Sequence, residues 1–435
     1  MLKKIAKKVR RRLQKPAPPA RPLSAEEIRT AHGTLEKTWE ECPFNRWLQG
    51  DSDSPRNPYY VYIEVTNACN YQCVHCPQMM MERKVGFMKY ERFTALIDEV
   101  KKHIKRIAIF KQGEPLLHPR IVDMCKYARD AGLIVDICSN ASRLNEKIAR
   151  GLVEAGVASF LTTLTADKES YERTHVKGKF ENVIGNLKML VNTRNKMGRD
   201  KPVVIAQIIR YPGHSEETIE KFKTFCKKKI GVDEAQTLNL VYYSDHATHD
   251  SKAADFDPGS TGFNTCIYPW MLFGISWNGT AVPCVFDGDE KEKLGNVFDR
   301  GLMEVWRGDE MKNFRGRIAG GRFPKRSGDY PFLCSTCSIL FDPAQQHTGR
   351  FAASFMDDGD FRETQKSLEA THEKELENRE LAYTLALSYL CEGKVVPAYR
   401  LFNRILAVSP FDDLADSVRQ KLSLVLGGRI IYDAP

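Results

Sequence analysis

The sequence predicts an α/β chain: a partial (β/α)6 barrel of the TIM type, a small β-hairpin and helix domain after it, and an α-helical C-terminal segment. Three observations lead there. Between Tyr59 and about Tyr243 short apolar runs alternate with helical patterns. Further on, Asn278-Gly279 stands between two apolar runs, a hairpin signal. From Phe361 to Leu426 breakers are few and apolar residues keep a helical period.

The runs Tyr59–Val65, Arg106–Phe110, Leu133–Cys138, Ala158–Leu164, Val203–Ile209 and Thr237–Tyr243 have the continuous apolar character of buried parallel strands. Helices are expected between them: Phe93, Leu96, Ile97, Val100 and Ile104 share one helical face, and so do Phe180, Val183, Ile184, Leu187, Leu190 and Val191. The polar stretch Asp255–Gly262 marks a boundary. The expected division is therefore a lead-in over 1–54, the barrel over 55–255, the hairpin domain over 256–345 and the helical tail over 346–435.

In such barrels the site lies at the carboxyl ends of the strands, and polar signals cluster there. Strand one ends in Glu64-Val-Thr-Asn and runs into Cys69-Asn-Tyr-Gln-Cys73-Val-His-Cys76. Strand two ends in Lys111-Gln-Gly113-Glu114-Pro115, strand three in Cys138-Ser139-Asn140, and strand four in Thr162-Thr163 followed by Thr165 and Asp167. Strand five carries Gln207 and Arg210, and Tyr242, Tyr243, Asp245 and His246 follow strand six. Three thiolates within eight residues can converge on one soft-metal centre, zinc, copper(I) or iron–sulfur. A structural zinc closes with four ligands, and no fourth cysteine lies near in sequence; three reduced cysteines in a turn is the plain alternative.

Composition narrows the class. Twelve cysteines in a chain of 435 residues, grouped at metal-like spacings and without a signal peptide, do not read as a secreted disulfide framework, and a reducing cytoplasm is expected. No run of about 18 apolar residues exists to span a membrane. The net charge is +9, but residues 1–15 alone hold eight basic side chains and no acidic one, which leaves +1 for the remainder. A nearly neutral body argues against a nucleic-acid channel. Leu2, Ile5, Ala6, Val9 and Leu13 share a helical face among those cations, so the start is a surface for anionic lipid, a solvated tail or a transit-type segment.

The Cys-x3-Cys-x2-Cys loop after a first strand, with His75 before the third cysteine, resembles that of the radical S-adenosylmethionine (radical SAM) enzymes. The resemblance implies that Cys69, Cys73 and Cys76 hold a [4Fe-4S] cluster whose open iron chelates SAM. Gln112-Gly113-Glu114-Pro115 resembles the family's Gly-Gly-Glu-Pro motif, with Gln112 in place of the first glycine. It implies His75, Gly113, Glu114, Ser139, Asn140 and Thr163 as SAM contacts, with Arg173 a partner for its carboxylate. Cys138, beside this turn, reads as a buried small hydrophobe more than as a hydrogen-atom donor.

A second cysteine set follows: Cys266, Cys284 after the hairpin, and Cys334-x2-Cys337. Four thiolates make a closed site, a structural zinc by chemistry alone. The order Cys, Gly-x4-Cys, Leu-Gly-Asn-Val, Trp resembles the SPASM and twitch extensions of radical SAM enzymes, and with only Cys391 left downstream a single auxiliary [4Fe-4S] cluster of the twitch type is implied. In the tail, Ala382, Leu385, Ala386, Tyr389, Gly393, Ala398, Phe402 and Pro410 resemble one tetratricopeptide repeat, a cap or a surface for a protein partner, with Asp412–Leu426 as a closing helix.

By that resemblance the expected activity is reductive cleavage of SAM to a 5′-deoxyadenosyl radical and hydrogen abstraction from a C–H bond. The expected substrate is a small polyol, sugar or cyclitol, oxidised with the auxiliary cluster as electron acceptor and a flavodoxin- or ferredoxin-type reductant. A peptide-modifying enzyme and a non-enzymatic cluster scaffold are the alternatives. No residue is assigned as catalytic acid or base.

Overall fold

In the computed structural model the described residues are 51–54, 57–211, 214–239, 268–318, 379–391 and 395–408, with 26, 46, 266, 334, 368–370, 372, 418, 419 and 422. The basic start, the boundary Asp255–Gly262, Tyr242, Tyr243, Asp245, His246, Cys337, Gly393, Pro410 and most of Asp412–Leu426 lie outside them. The chain divides into two compact units, 46–346 and 1–45 with 347–435. Among the described residues no helix is long and apolar enough to cross a membrane.

In the larger unit the first strands are β1 (Tyr60–Ile63), β2 (Gln72–Cys73), β3 (Arg106–Ile109), β4 (Ile134–Cys138) and β5 (Ser159–Thr163). They are followed by β6 (His175–Val176), β7 (Val203–Arg210), β8 (Glu234–Asn239), β9 (Leu272–Ile275), β10 (Thr280–Val282) and β11 (Gly295–Asn296). Nine form one sheet in the order β11-β10-β9-β1-β3-β4-β5-β7-β8. From β9 to β8 every pairing is parallel. The fold is α/β with an open, barrel-type parallel sheet, and five of the six expected strands stand within a residue or two of their apolar runs. The sixth is displaced: β8 opens at Glu234 rather than Thr237. Among the described residues it pairs only with β7, so it does not need the continuous apolar run of a central strand.

The crossovers are α1 (Tyr90–Val100), α2 (Ile121–Asp130), α3 (Glu146–Ala155), α4 (Lys168–Thr174), α5 (Phe180–Lys196) and α6 (Glu216–Phe225). Their starts are set by side chains that supply orphan amides with an acceptor: Asn145 for Ile148, Asp167 for Ser170 and Ser215 for Thr218. Phe93, Leu96, Ile97 and Val100 of α1 and Val183, Leu187, Leu190 and Val191 of α5 are buried, the predicted faces.

The hairpin does not stand apart from the barrel. Its first strand, β9, pairs in parallel with β1 from Tyr60↔Leu272 to Ile63↔Ile275, which buries all four residues of β1 between two neighbours. At the turn Gly279 has φ +90, and a Cβ there would sit 2.3 Å from the Phe298 ring. After α7 (Val297–Arg300) come α8 (Leu302–Arg307) and α9 (Asp309–Ile318). Trp306 of α8 stacks on Phe273 of β9, centroids 5.4 Å apart, while the buried Arg315 guanidinium lies 4.3 Å over the Trp306 ring.

In the smaller unit α10 (Arg379–Cys391) and α11 (Val395–Val408) pack together. Tyr383 meets Phe402 edge to face at 5.5 Å, and Leu385, Ala386, Ala398 and Phe402 are buried.

Candidate metal and cofactor site

The cysteine loop is held at its base before it reaches the first cysteine. Thr66 Oγ1 donates to Gly86 O (2.7 Å), Asn67 Nδ2 donates to Lys84 O (3.0 Å), and Gly86 N donates back to Asn67 Oδ1 (2.8 Å). Beyond it Tyr71 N points at Cys69 Sγ (3.4 Å), Cys76 N donates to Cys73 O (3.1 Å), and Cys73 pairs antiparallel with His175 in the ribbon β2–β6.

All three cysteines are half-buried and outside any disulfide. Burial pushes the Cys69 thiol up to about 11, with Glu114 and Cys76 adding to it. Burial raises Cys73 further, reinforced by Cys76 and Cys69, and raises Cys76 too. Three buried thiols, two of them raised further by a neighbouring cysteine, need a cationic centre to ionise together, and a cluster iron core is one. The donor set therefore fits a [4Fe-4S] cluster.

The turn after β3 is fitted to this loop. Gly113 has φ +78, and a Cβ on it would lie 2.5 Å from Thr66 O, so only glycine is accommodated. Glu114 N donates to Ala68 O (2.7 Å). The Glu114 carboxylate is buried and accepts from Leu116 N (2.8 Å) and Ser139 Oγ (2.7 Å) on Oε1 and from Asn140 N (2.7 Å) on Oε2. Burial outweighs those donors and lifts its pKa to about 7. Asn140 Nδ2 donates to Asn70 Oδ1 (3.2 Å) and Asn70 Nδ2 to Ser142 Oγ (2.8 Å), so the turn after β4 is tied to the cysteine loop as well.

Of the remaining predicted contacts, Thr163 at the end of β5 accepts from Gln207 Nε2 (3.0 Å) of β7. His75 meets the Tyr211 hydroxyl through Nδ1 (2.9 Å), lies edge to face on His175 at 5.2 Å, and is brought by burial down to about 4. Arg173 is exposed in the last turn of α4. Burial pushes Cys138 up to about 12. Cys266, Cys284 and Cys334 are half-buried and outside any disulfide. Four cysteine thiolates suit a closed iron–sulfur centre by donor chemistry.

Glu64 and Lys111, polar signals at two strand ends, turn out to be joined to the segment around Cys284, Glu64 through Arg83. Glu64, Arg83 and Lys111 form a buried charge group: Arg83 grips both Glu64 carboxylate oxygens and reaches Glu290 (3.2 Å), while Lys111 Nζ lies 3.8 Å from Glu64 and donates to Asp287 O (2.7 Å). Gln112, in the place of the motif's first glycine, has Oε1 3.9 Å from Cys76 Sγ and Nε2 3.5 Å from Val285 O, next to Cys284. Charged residues at a strand's end were the available signal, but pairing across 200 residues is not written locally.

Residues 63–226 match the family model of the Radical SAM superfamily and residues 266–338 that of SPASM, an iron-sulfur cluster-binding domain. Among similar curated proteins is the tungsten-containing aldehyde ferredoxin oxidoreductase cofactor-modifying protein of Pyrococcus furiosus, 22% identical over 64% of this chain and 87% of its own. Another is the S-adenosyl-L-methionine-dependent 2-deoxy-scyllo-inosamine dehydrogenase of Niallia circulans, 25% identical over 64% and 92%. The structure of SuiB from Streptococcus suis bound to precursor peptide SuiA shares the fold, with TM-score 0.50, 16% identity and coverage of 65% and 70%. The two domains bring SAM with a [4Fe-4S] cluster and an auxiliary iron–sulfur cluster as cofactors. A cysteine triad in a loop after the first parallel strand, a Gly-Glu-Pro turn locked against it and a second cysteine set around the hairpin all agree with the matched domains: the chain carries a radical SAM domain followed by a SPASM domain.

Proposed function

We propose that this enzyme binds SAM among the loops after β1, β3, β4 and β5 and oxidises a small polyol, sugar or cyclitol at a C–H bond. When bound, the cluster on Cys69, Cys73 and Cys76 with SAM supplies a 5′-deoxyadenosyl radical that takes the hydrogen atom, and the auxiliary cluster on Cys266, Cys284, Cys334 and Cys337 supplies an acceptor for the electron left on carbon. A flavodoxin- or ferredoxin-type protein is the reductant.

The observation that carries the reading is the continuity of one sheet from the triad to Cys284. Strand β1 leads to Cys69, its neighbour β9 leads through the hairpin to Cys284, and Gln112 lies between Cys76 Sγ and Val285 O. The match to the dehydrogenase, over 92% of its length, supports the same class of substrate.

In this reading the chain's residues orient and exclude. Gly113 lets backbone approach the amino group of SAM, and Glu114 offers it Oε2, the oxygen that accepts a single hydrogen bond here. Ser139 and Asn140 fix that carboxylate, His75 and Thr163 line the ribose and adenine side, and Arg173 is the partner for the SAM carboxylate. Buried Tyr71 and Tyr171 keep water from the loop.

The test is anaerobic turnover with SAM, dithionite and polyols or cyclitols deuterated at the carbinol carbon. Deuterium in 5′-deoxyadenosine with formation of the matching ketone is expected. Label arriving only from a peptide donor would replace this reading with peptide modification. No 5′-deoxyadenosine above a Cys73→Ala control would leave a scaffold.

A further inference from the structure

His175 lies outside the cysteine motif, yet the ribbon β2–β6 sets its backbone directly opposite Cys73. Its side chain is 3% exposed and stacks flat on Tyr171, centroids 4.3 Å apart at 10°. Thr174 Oγ1 donates its proton to Ser170 O (2.7 Å), so at 3.0 Å from His175 Nδ1 it acts as acceptor. That fixes the proton on Nδ1 and leaves a bare lone pair on Nε2, which is buried without a hydrogen-bond partner. A histidine whose Nδ1–H is anchored and whose Nε2 is bare is arranged as a metal ligand.

Two more donors face it. Cys73 Sγ and one ring nitrogen each of His75 and His175 all lie within 4.8 Å of one another. His75 has its own anchor, since its Nδ1 meets the Tyr211 hydroxyl at 2.9 Å. One thiolate and two imidazoles, each imidazole met by a hydroxyl at Nδ1, form a three-ligand site of the zinc type with a position left for water.

We propose that, before the cluster is installed, Cys73, His75 and His175 bind a single zinc-class divalent cation, and that this ion and the cluster exclude one another because both require Cys73. Binding releases the Cys73 thiol proton to solvent and leaves both imidazoles neutral. The site must be vacated, with Cys73 handed over, for the triad to close on iron.

Cobalt(II) is the probe, because its high-spin EPR signal is readable beside an oxidised, EPR-silent auxiliary cluster. In a Cys69→Ala/Cys76→Ala variant, which removes the cluster but keeps Cys73, one cobalt per chain is expected, displaced by zinc. Adding His175→Phe weakens that binding by at least about tenfold. His75→Phe, on the other strand's side, gives an independent arm with the same expectation if the first variant folds poorly. In the unmutated chain, one equivalent of zinc slows iron incorporation at the triad, and it does not do so in His175→Phe. The proposal is overturned if the double variant binds no cobalt, if either histidine is dispensable for binding, or if zinc leaves iron incorporation unaffected. None of these results depends on turnover, so the substrate reading stands or falls separately.

Discussion

The two cysteine regions solve the same problem in opposite ways. Cys69, Cys73 and Cys76 are brought together by one loop, pinned by Thr66 and Asn67 at its base and by Asn70 at its side. Cys266, Cys284, Cys334 and Cys337 are spread over more than seventy residues, and Cys284 owes its place to the register of β10 on β9 and of β9 on β1. The contrast teaches that the first set is built from local backbone, whereas Cys284 of the second is placed by long-range sheet pairing. Between them lies the Glu64, Arg83 and Lys111 group, which belongs to both.

Breaking that link has the largest expected effect. Arg83→Met leaves Glu64, whose side chain is fully buried, without its bidentate partner, and removal of one member of a buried pair costs about 3–5 kcal/mol. Urea unfolding under anaerobic conditions checks it, with both iron–sulfur signals lost together; a loss confined to one region would mean the two are not coupled through Arg83. Next, Asn70→Ala removes two part-buried hydrogen bonds from the first region alone, at about 1–2 kcal/mol. Iron bound at the triad should fall while the auxiliary cluster remains, and equal losses at both would contradict a locally built loop.

A smaller, pH-dependent effect comes from His118, after the Gly-Glu-Pro turn. Its Nε2–H donates to Met88 O (2.9 Å), its Nδ1 accepts from Arg120 N (3.1 Å), and burial holds its pKa below the ordinary 6.5. The unfolded chain then binds the extra proton first, so this contribution is intact above about 6.5 and is lost as pH falls below it. His118→Gln should flatten the stability profile between pH 6.5 and 5 relative to the unmutated chain; parallel profiles would contradict the neutral assignment. Smallest of all, Lys126→Ala deletes an exposed ion pair with Asp130 on α2, and the urea midpoint should not move.

Much of this was legible in the residues because the signals are local. The strands leading to Cys69, Gly113, Ser139 and Thr163 are short apolar runs ending in polar turns, and a parallel sheet buried on both faces leaves that imprint. Three features were not. The ribbon that sets His175 against Cys73 has two residues per strand, too few for any periodicity. Strand β8 opens with the polar Glu234-Ala-Gln236, and the predicted run Thr237–Tyr243 drew the boundary three residues late. The parallel pairing of β9 with β1 joins residues 212 apart, and its only sequence trace is that Leu272–Ile275 is uniformly apolar, the mark of a strand covered on both sides. Glu114 shows a fourth limit: its type announced a polar contact, but not that Ser139 and Asn140 already occupy most of its carboxylate.

The central claim is that the triad leaves one iron open to SAM while the second set is closed. EPR of the dithionite-reduced protein with and without SAM tests it most directly. The account predicts about eight irons per chain and a SAM-dependent change in the spectrum, with Cys266→Ala keeping about four irons and the same response, and Cys73→Ala losing the response. A spectrum indifferent to SAM in the unmutated protein, or an undiminished response in Cys73→Ala, would contradict it.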